Sequence, residues 1–320
     1  ATIEVAAQLG IKDVVPALKE TLDDEDTSEN LRVAAFRALA KLSDDVDGLL
    51  EAGRRDPSEA IQIASLQLLS ERHPEQAVLA LAEVIEAGSV KGQQTAFALL
   101  GQIQGESAQA VVEAAFEKFA AGELSPAVSL DVLKAAEVVG SVELTERVRL
   151  YRANQQPGDT LEQWSDCLEG GDAGRGYVIF FGRAAASCRR CHKVNGDGAD
   201  VGPDLSAVSK DKDRSYLLEA IVDPSAKIAK GFETTIIVDV DGKVHSGIIK
   251  EETDKLVKLM NPKGAIITVA TEDIDERAKG LSGMPADIAK NLSRDEIRDL
   301  VEYMSTLKTA KEDGAHGEEK

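Results

Sequence analysis

Two cysteines and a histidine stand together at Cys188-Arg-Arg-Cys191-His192, in a chain of 320 residues with three cysteines in all. That spacing admits three chemistries. A structural zinc site needs four ligands, commonly completed by a second Cys or His pair. No second pair exists here: His73, His245 and His316 lie far from one another in sequence. A redox dithiol of the thioredoxin kind opens a helix after a strand in a βαβ setting. Here the pair follows an apolar helical stretch and precedes a glycine-rich loop. The third chemistry is covalent attachment of haem, for which Cys-x-x-Cys-His is the recognised pattern. The two thiols add to the haem vinyl groups as thioethers, and the adjacent imidazole reaches the iron. The pattern favours this reading: one haem c, bound through Cys188 and Cys191, with His192 as an axial ligand. The third cysteine, Cys167 in EQWSDCLEGG, has no evident partner and reads as a small buried thiol.

The other side of such an iron must be filled from elsewhere in the chain. The candidates are Met260, Met284, Met304 and the remaining histidines. Met304 shares a helical stripe with Leu300 and Leu307 and reads as core. Met260, between Leu259 and Asn261, falls in alternating strand-like sequence, as does His245 beside Ser246. Met284 lies in a glycine-rich loop, GLSGMPAD, and a soft thioether suits haem iron. His192 and Met284 are 92 residues apart. Setting aside the 45 residues of 233–277 leaves 47, a length that a small haem domain spans.

These side chains need elements to position them. The stretch 172–187, DAGRGYVIFFGRAAAS, is expected to form one helix leading into the cysteine motif. A second helix is expected at 215–225, SYLLEAIVDPS. Between 233 and 277 apolar and polar residues alternate, broken by Asp241-Gly242 and Asn261-Pro-Lys-Gly264, which predicts four or five antiparallel strands. The last helix, 293–308, opens on Ser293 with Glu296 three residues later, a capping box. The tail, 311–320, is too polar to pack and is expected to be disordered.

Residues 1–155 carry a different pattern. LRVAAFRALAKL (31–42), EAIQIASLQLLSE (59–71), KGQQTAFALLGQI (91–103) and AVSLDVLKAAEVV (127–139) read as versions of one helix, with small and branched apolar residues at three- and four-residue steps. Their spacing of about 28 to 36 residues is that of paired-helix repeats. They resemble HEAT-type repeats, which implies an α-solenoid. A polar cap is missing at Ala1, so a processed chain or fragment is expected. Residues 156–171 lose the repeat and read as a linker, with Trp164 packing one domain on the other.

With these pieces in place, 172–232 and 278–310 together resemble the class I c-type cytochromes. In that family a helix bearing a glycine and an aromatic residue precedes the haem motif; here these are Gly176 and Phe180 or Phe181. A Gly-Pro-x-Leu segment follows the histidine, here Gly202-Pro203-Asp204-Leu205. The resemblance implies that the Pro203 carbonyl meets the second nitrogen of His192, fixing its tautomer and raising its basicity. It implies a final helix crossing Gly176 at Tyr303. It also implies that Met284, followed by Pro285, is the second iron ligand. The order of parts is more specific still. A haem motif, GPDL, VDPSAKIAKGFETT (222–235), a β insertion at 233–277, then SGMPAD and a last helix resemble the planctomycete-type haem-binding domain. The expected fold class is therefore mainly α: a HEAT-like solenoid, then a class I cytochrome c domain carrying a small antiparallel insertion.

Charge and composition narrow the function. Hydrophobic residues make up 43% and the net charge is −20. Most of that charge, −16, lies in residues 1–170. Such a chain repels nucleic acid and anionic lipid, and it has no apolar run long enough to span a membrane. No nucleotide loop or catalytic triad pattern is present, so the chain reads as a carrier and not an enzyme. Ligation by His192 and Met284 closes both axial positions and raises the haem potential relative to two histidines. That implies an electron-transfer module with redox partners, a dehydrogenase as donor and a respiratory protein as acceptor. Arg189, Arg190 and Lys193 put positive charge near the motif, where it could steer an acidic partner. A haem sensor or peroxidase-like protein with a displaceable Met284 is the alternative. A scaffold binding proteins or glycans through its repeats is another. In the resembled family haem is attached outside the cytoplasmic membrane, so a periplasmic or equivalent location is expected.

Overall fold

Alanine and leucine at helical steps build the first half of the chain. The computed structural model describes residues 2–139, 141–155 and 158–309, and divides the chain into two units, Ala1–Tyr151 and Arg152–Lys320. The tail expected at 311–320, with His316, lies outside the described residues.

The first unit is helical throughout: α1 (Thr2–Gln8), α2 (Val15–Asp23), α3 (Glu29–Leu42), α4 (Val46–Arg54), α5 (Glu59–Arg72), α6 (Pro74–Ala87), α7 (Val90–Leu100), α8 (Glu106–Ala120), α9 (Ser129–Val138) and the start of α10 (Val142–Asn154). From α2 to α9 each helix packs on the next in sequence, α1 packs on α3, and α3, α5, α7 and α9 pack on one another in turn. Phe36, Leu50, Ile61, Leu81, Phe97, Leu100 and Leu133 are fully buried between them. Buried alanines such as Ala64, Ala80, Ala96 and Ala135 let the helices approach closely.

The polar rim repeats as the core does. Ser58 donates its hydroxyl to Glu29 at 2.8 Å, 29 residues away. Ser89 donates to Glu59, 30 residues away, and Ser107 to Glu75 at 2.9 Å, 32 residues away. Arg147 pairs with Glu117 at 2.7 Å in the same manner. Exposed contacts of this kind are each worth under about 1 kcal/mol. These polar pairs recur at separations of 29 to 32 residues along the first unit.

The boundary at 151/152 falls inside α10, before the expected 155/156. The segment expected as a linker is instead folded into the second unit. It carries α11 (Thr160–Gln163) and a 3-10 turn, Ser165–Cys167. Leu161, Trp164, Cys167 and Leu168 recur at helical steps and bury against the second core, which outweighs the polar and glycine-rich composition. Trp164, expected between domains, packs on this core, with the Arg294 guanidinium 4.3 Å from its ring centre. Asp166 is buried beside it, ion-paired to Arg294 and, at 3.4 Å, to Arg152.

The second unit continues with α12 (Ala173–Gly182), a two-residue hairpin β1 (Lys193–Val194) and β2 (Asp197–Gly198), and α13 (Arg214–Val222). Five strands follow: β3 (Thr234–Asp239), β4 (Val244–Glu252), β5 (Leu256–Met260), β6 (Ile266–Ala270) and β7 (Ile274–Lys279). They form one antiparallel sheet in the order β6-β5-β4-β3-β7. Its own small core is Ile237, Val257, Leu259 and Val269. The last helix, α14 (Arg294–Ser305), starts on a complete Ser293–Glu296 capping box. It crosses α12 at Gly176, where a Cβ would overlap the Asp299 carbonyl and lie 2.6 Å from Tyr303 Cβ. Glycine is the residue that permits this crossing. Around it Phe180, Leu217, Leu218, Ile297, Leu300, Val301 and Met304 make the core.

Candidate haem attachment site

The site is built on the short connection between α12 and the β1–β2 hairpin. The expected helix over 172–187 stops at Gly182. Residues 183–187 then turn, with Ala186 buried and Ser187 left-handed at φ 51°. A glycine next to Arg183 weakens the helix there, and burial of Ala186 selects the turn. Cys188–Arg190 form a single 3-10 turn. The Cys191 N–H donates to the Cys188 carbonyl at 3.1 Å and the His192 N–H donates to the same oxygen at 2.9 Å. Both cysteines and the histidine thus belong to one tight turn.

The imidazole is held from two directions. His192 Nδ1 lies 2.9 Å from the Pro203 carbonyl, which can only accept, so Nδ1 carries the proton. Nε2 is left with its lone pair. Gly202 backs the ring: a Cβ there would lie 2.7 Å from His192 Cε1. The Gly202 N–H donates to the Cys191 carbonyl at 2.7 Å, and the Leu205 N–H to the Lys193 carbonyl at 2.8 Å, closing the loop over the turn. Burial pushes the imidazole below its ordinary pKa, more strongly than the Pro203 carbonyl raises it. The ring is therefore neutral at pH 7. Burial also pushes the Cys188 thiol up to about 11, so it remains a thiol at neutral pH.

Met284 is half-buried against the same core that receives Cys188 and Leu205. The other candidates for a second ligand are otherwise engaged. Met304 is buried in α14, and Met260 is buried in β5, paired with Ile248 and Ile266. His245 Nε2 is bonded to Asp239 at 2.8 Å across the β3–β4 hairpin. His73 Nε2 meets Asp47 at 3.1 Å. These histidines look isolated in sequence, and the fold gives each an aspartate. Cys167 is fully buried, and burial with Asp166 alongside pushes its thiol pKa far up.

Two of the three cations beside the motif are neutralised locally. Arg189 pairs with Asp197 at 3.7 Å and Lys193 with Asp200 at 2.5 Å; Arg190 is exposed. The positive patch expected from sequence is correspondingly reduced.

Two further supports escaped sequence reasoning. Asp299 in α14 is buried, and accepts from the Asp172 N–H at 2.7 Å and from Arg175 Nε at 2.7 Å. It fixes the start of α12, and nothing in the sequence links partners more than 120 residues apart. Ser206 accepts from the Asn195 N–H at 2.7 Å and bonds Asp204, pinning the loop that carries Pro203. Asp-Leu-Ser is a readable Asx-turn signal.

Among the described residues no three His, Cys, Asp or Glu side chains converge as a protein-only ion cage. A haem asks less of the chain, since the porphyrin supplies four of the iron's six ligands. Two thiols on one turn, a neutral imidazole with a free Nε2 and a thioether on the same core fit that requirement. In comparisons with known proteins, no protein-family model matches the chain, and no curated protein matches it.

Proposed function

We propose that the chain is an electron-transfer c-type cytochrome module. Cys188 and Cys191 would hold one haem c by thioethers, and His192 and Met284 would hold its iron. The observation that carries the reading is the His192 ring, with Nδ1 committed to Pro203 and its face backed by Gly202. A zinc-bound histidine would be oriented in the same way, but among the described residues no three His, Cys, Asp or Glu side chains converge to complete a zinc site, and dithiol exchange gives no reason to orient a histidine. When bound, haem supplies a one-electron couple. The Pro203 carbonyl makes His192 a better donor by accepting its other N–H. Met284 would hold the iron together with His192, and so leave no place for oxygen or peroxide. Leu205 and the α12–α14 core would keep water from one side of the group.

In finer detail, we read the second unit as a class I cytochrome c domain with a β insertion, of the planctomycete type. The close crossing of α12 and α14 at Gly176 and Tyr303 supports this. We read the first unit as a HEAT-like solenoid, supported by polar pairs recurring near 30 residues. Electrons would come from a dehydrogenase and leave to a respiratory acceptor, outside the cytoplasmic membrane. No described helix is long and apolar enough to cross a membrane.

The test is the absorbance spectrum of the haem-loaded chain beside Met284→Ala. Loss of the far-red methionine-to-ferric-iron band in the variant is the expected result. An unchanged spectrum would remove Met284 from the iron. Little carbon monoxide binding to the reduced wild type is also expected; rapid stoichiometric binding would favour a sensor or peroxidase.

A further inference from the structure

The five-stranded sheet interrupts the region that resembles a cytochrome, and its place in the site needs a reason. The loop carrying Met284 is tied to that sheet and to the segment before it. Thr234, the first residue of β3, is buried and pairs with Ile248 of β4. Its carbonyl accepts from the Gly280 N–H at 2.8 Å, and its hydroxyl donates to the Leu281 carbonyl. A Cβ at Gly280 would overlap that hydroxyl, so the chain leaves β7 pressed against Thr234. One residue on, the Ser282 N–H donates to Ser225 Oγ at 3.2 Å. Ser282 then turns its own hydroxyl to accept from the Met284 N–H at 3.2 Å. Four hydrogen bonds thus run from the start of β3 to the methionine backbone.

We infer that the sheet positions Met284, with Thr234 and Ser225 as positioning residues that hold the 280–284 loop. This rests on the proposed Met284 ligation. A thioether on an untethered loop leaves an iron readily, because release gains chain entropy. Tethering the backbone on both sides of Leu281 removes most of that gain. The insertion then serves as the rigid support of one half of a split pocket. It is more than a spacer between the halves.

The experiment compares haem-loaded full chains of wild type, Met284→Ala, Thr234→Val, Thr234→Ser and Ser225→Ala. Readouts are the far-red ferric band and the rate at which carbon monoxide binds the reduced form. Losing one tethering hydrogen bond should raise the methionine-off population, and so the carbon monoxide rate, about three- to tenfold. Thr234→Val should show this with a weakened far-red band, and Thr234→Ser should restore both. Ser225→Ala should move both readouts the same way. Should Thr234→Val fail to fold, Ser225→Ala decides alone, since Ser225 is only half-buried. Wild-type behaviour in Thr234→Val and Ser225→Ala, with the band lost in Met284→Ala, would overturn this inference and leave the ligation standing. An unchanged band in Met284→Ala would overturn both.

Discussion

The first unit is stitched together by neighbours, and the second by residues from opposite ends of its sequence. In 1–151, core and rim contacts join a helix to the next or the next but one, with polar partners about 30 residues apart. In the second unit Asp299 reaches Arg175 across 124 residues, Glu302 reaches Arg214 across 88, and Ser209 donates to the Met304 carbonyl across 95. A stack of similar helices can lose one contact and keep its pattern. The proposed site, made from one turn, one loop and one distant methionine, would depend on every closure. The difference teaches that the proposed chemistry lies where long-range contacts over-determine the backbone, while the acidic helices are held by local ones.

The sharpest way to break this comparison is to cut the first core. Phe36→Ala removes a fully buried ring and should cost about 3–5 kcal/mol. Calorimetry should show an early transition of the first unit with the haem spectrum intact; a single merged transition would deny that the two regions are held separately. Next in size, Gly176→Ala puts a methyl into the α12–α14 crossing. It should cost about 1–3 kcal/mol. The yield of haem-loaded protein should drop, and an unaffected yield would mean that the crossing does not support the site.

Asp299→Asn weakens the carboxylate that closes α12 on α14. Arg175 is 60% exposed and can turn to water, so the loss should be about 1–2 kcal/mol. Urea unfolding of the second unit should report it, and a change confined to the first unit would contradict the long-range tie. Ser65→Ala, in the first unit, deletes a buried hydroxyl that donates to the Leu50 carbonyl at 2.6 Å. About 1 kcal/mol is expected, without spectral change. The smallest effect is the pH response of the sheet. Asp239 is held below the ordinary carboxylate value, first by the His245 hydrogen bond and then by the Lys243 N–H. Its folded pKa is the depressed one, so the stabilisation is full above the unfolded value of about 3.9 and fades as pH falls below it. Asp239→Asn should flatten that acid-limb slope in amide exchange of β3 and β4.

Much of both regions was legible. The helices of the first unit follow from apolar residues at three- and four-residue steps, and the sheet from alternation punctuated by Asp241-Gly242 and Asn261-Gly264. Failures came where burial overrode composition. Residues 158–171 look like a linker because Gln, Pro and Gly surround them, yet Trp164 and Cys167 supply enough apolar surface to fold the segment into the second core. Residues 183–187 look helical because alanine is a good helix former, yet packing of Ala186 ends the helix early. The aspartates facing His245 and His73 are separated from them by 6 and 26 residues, so no local pattern marks them.

By itself the sequence determined the chemistry on offer: two thiols and an imidazole within five residues, a loop methionine, and local devices such as the Ser293–Glu296 cap. Each acts over a few residues, where covalent geometry limits the outcomes. Tertiary structure alone decided which groups would meet. The Pro203 carbonyl at His192, the Asp299 carboxylate at Arg175 and the Thr234 hydroxyl at Leu281 are partners because burial removed water and left each polar group needing a protein replacement. Which replacement lies within reach depends on how whole helices and strands pack, and that is a property of the folded chain.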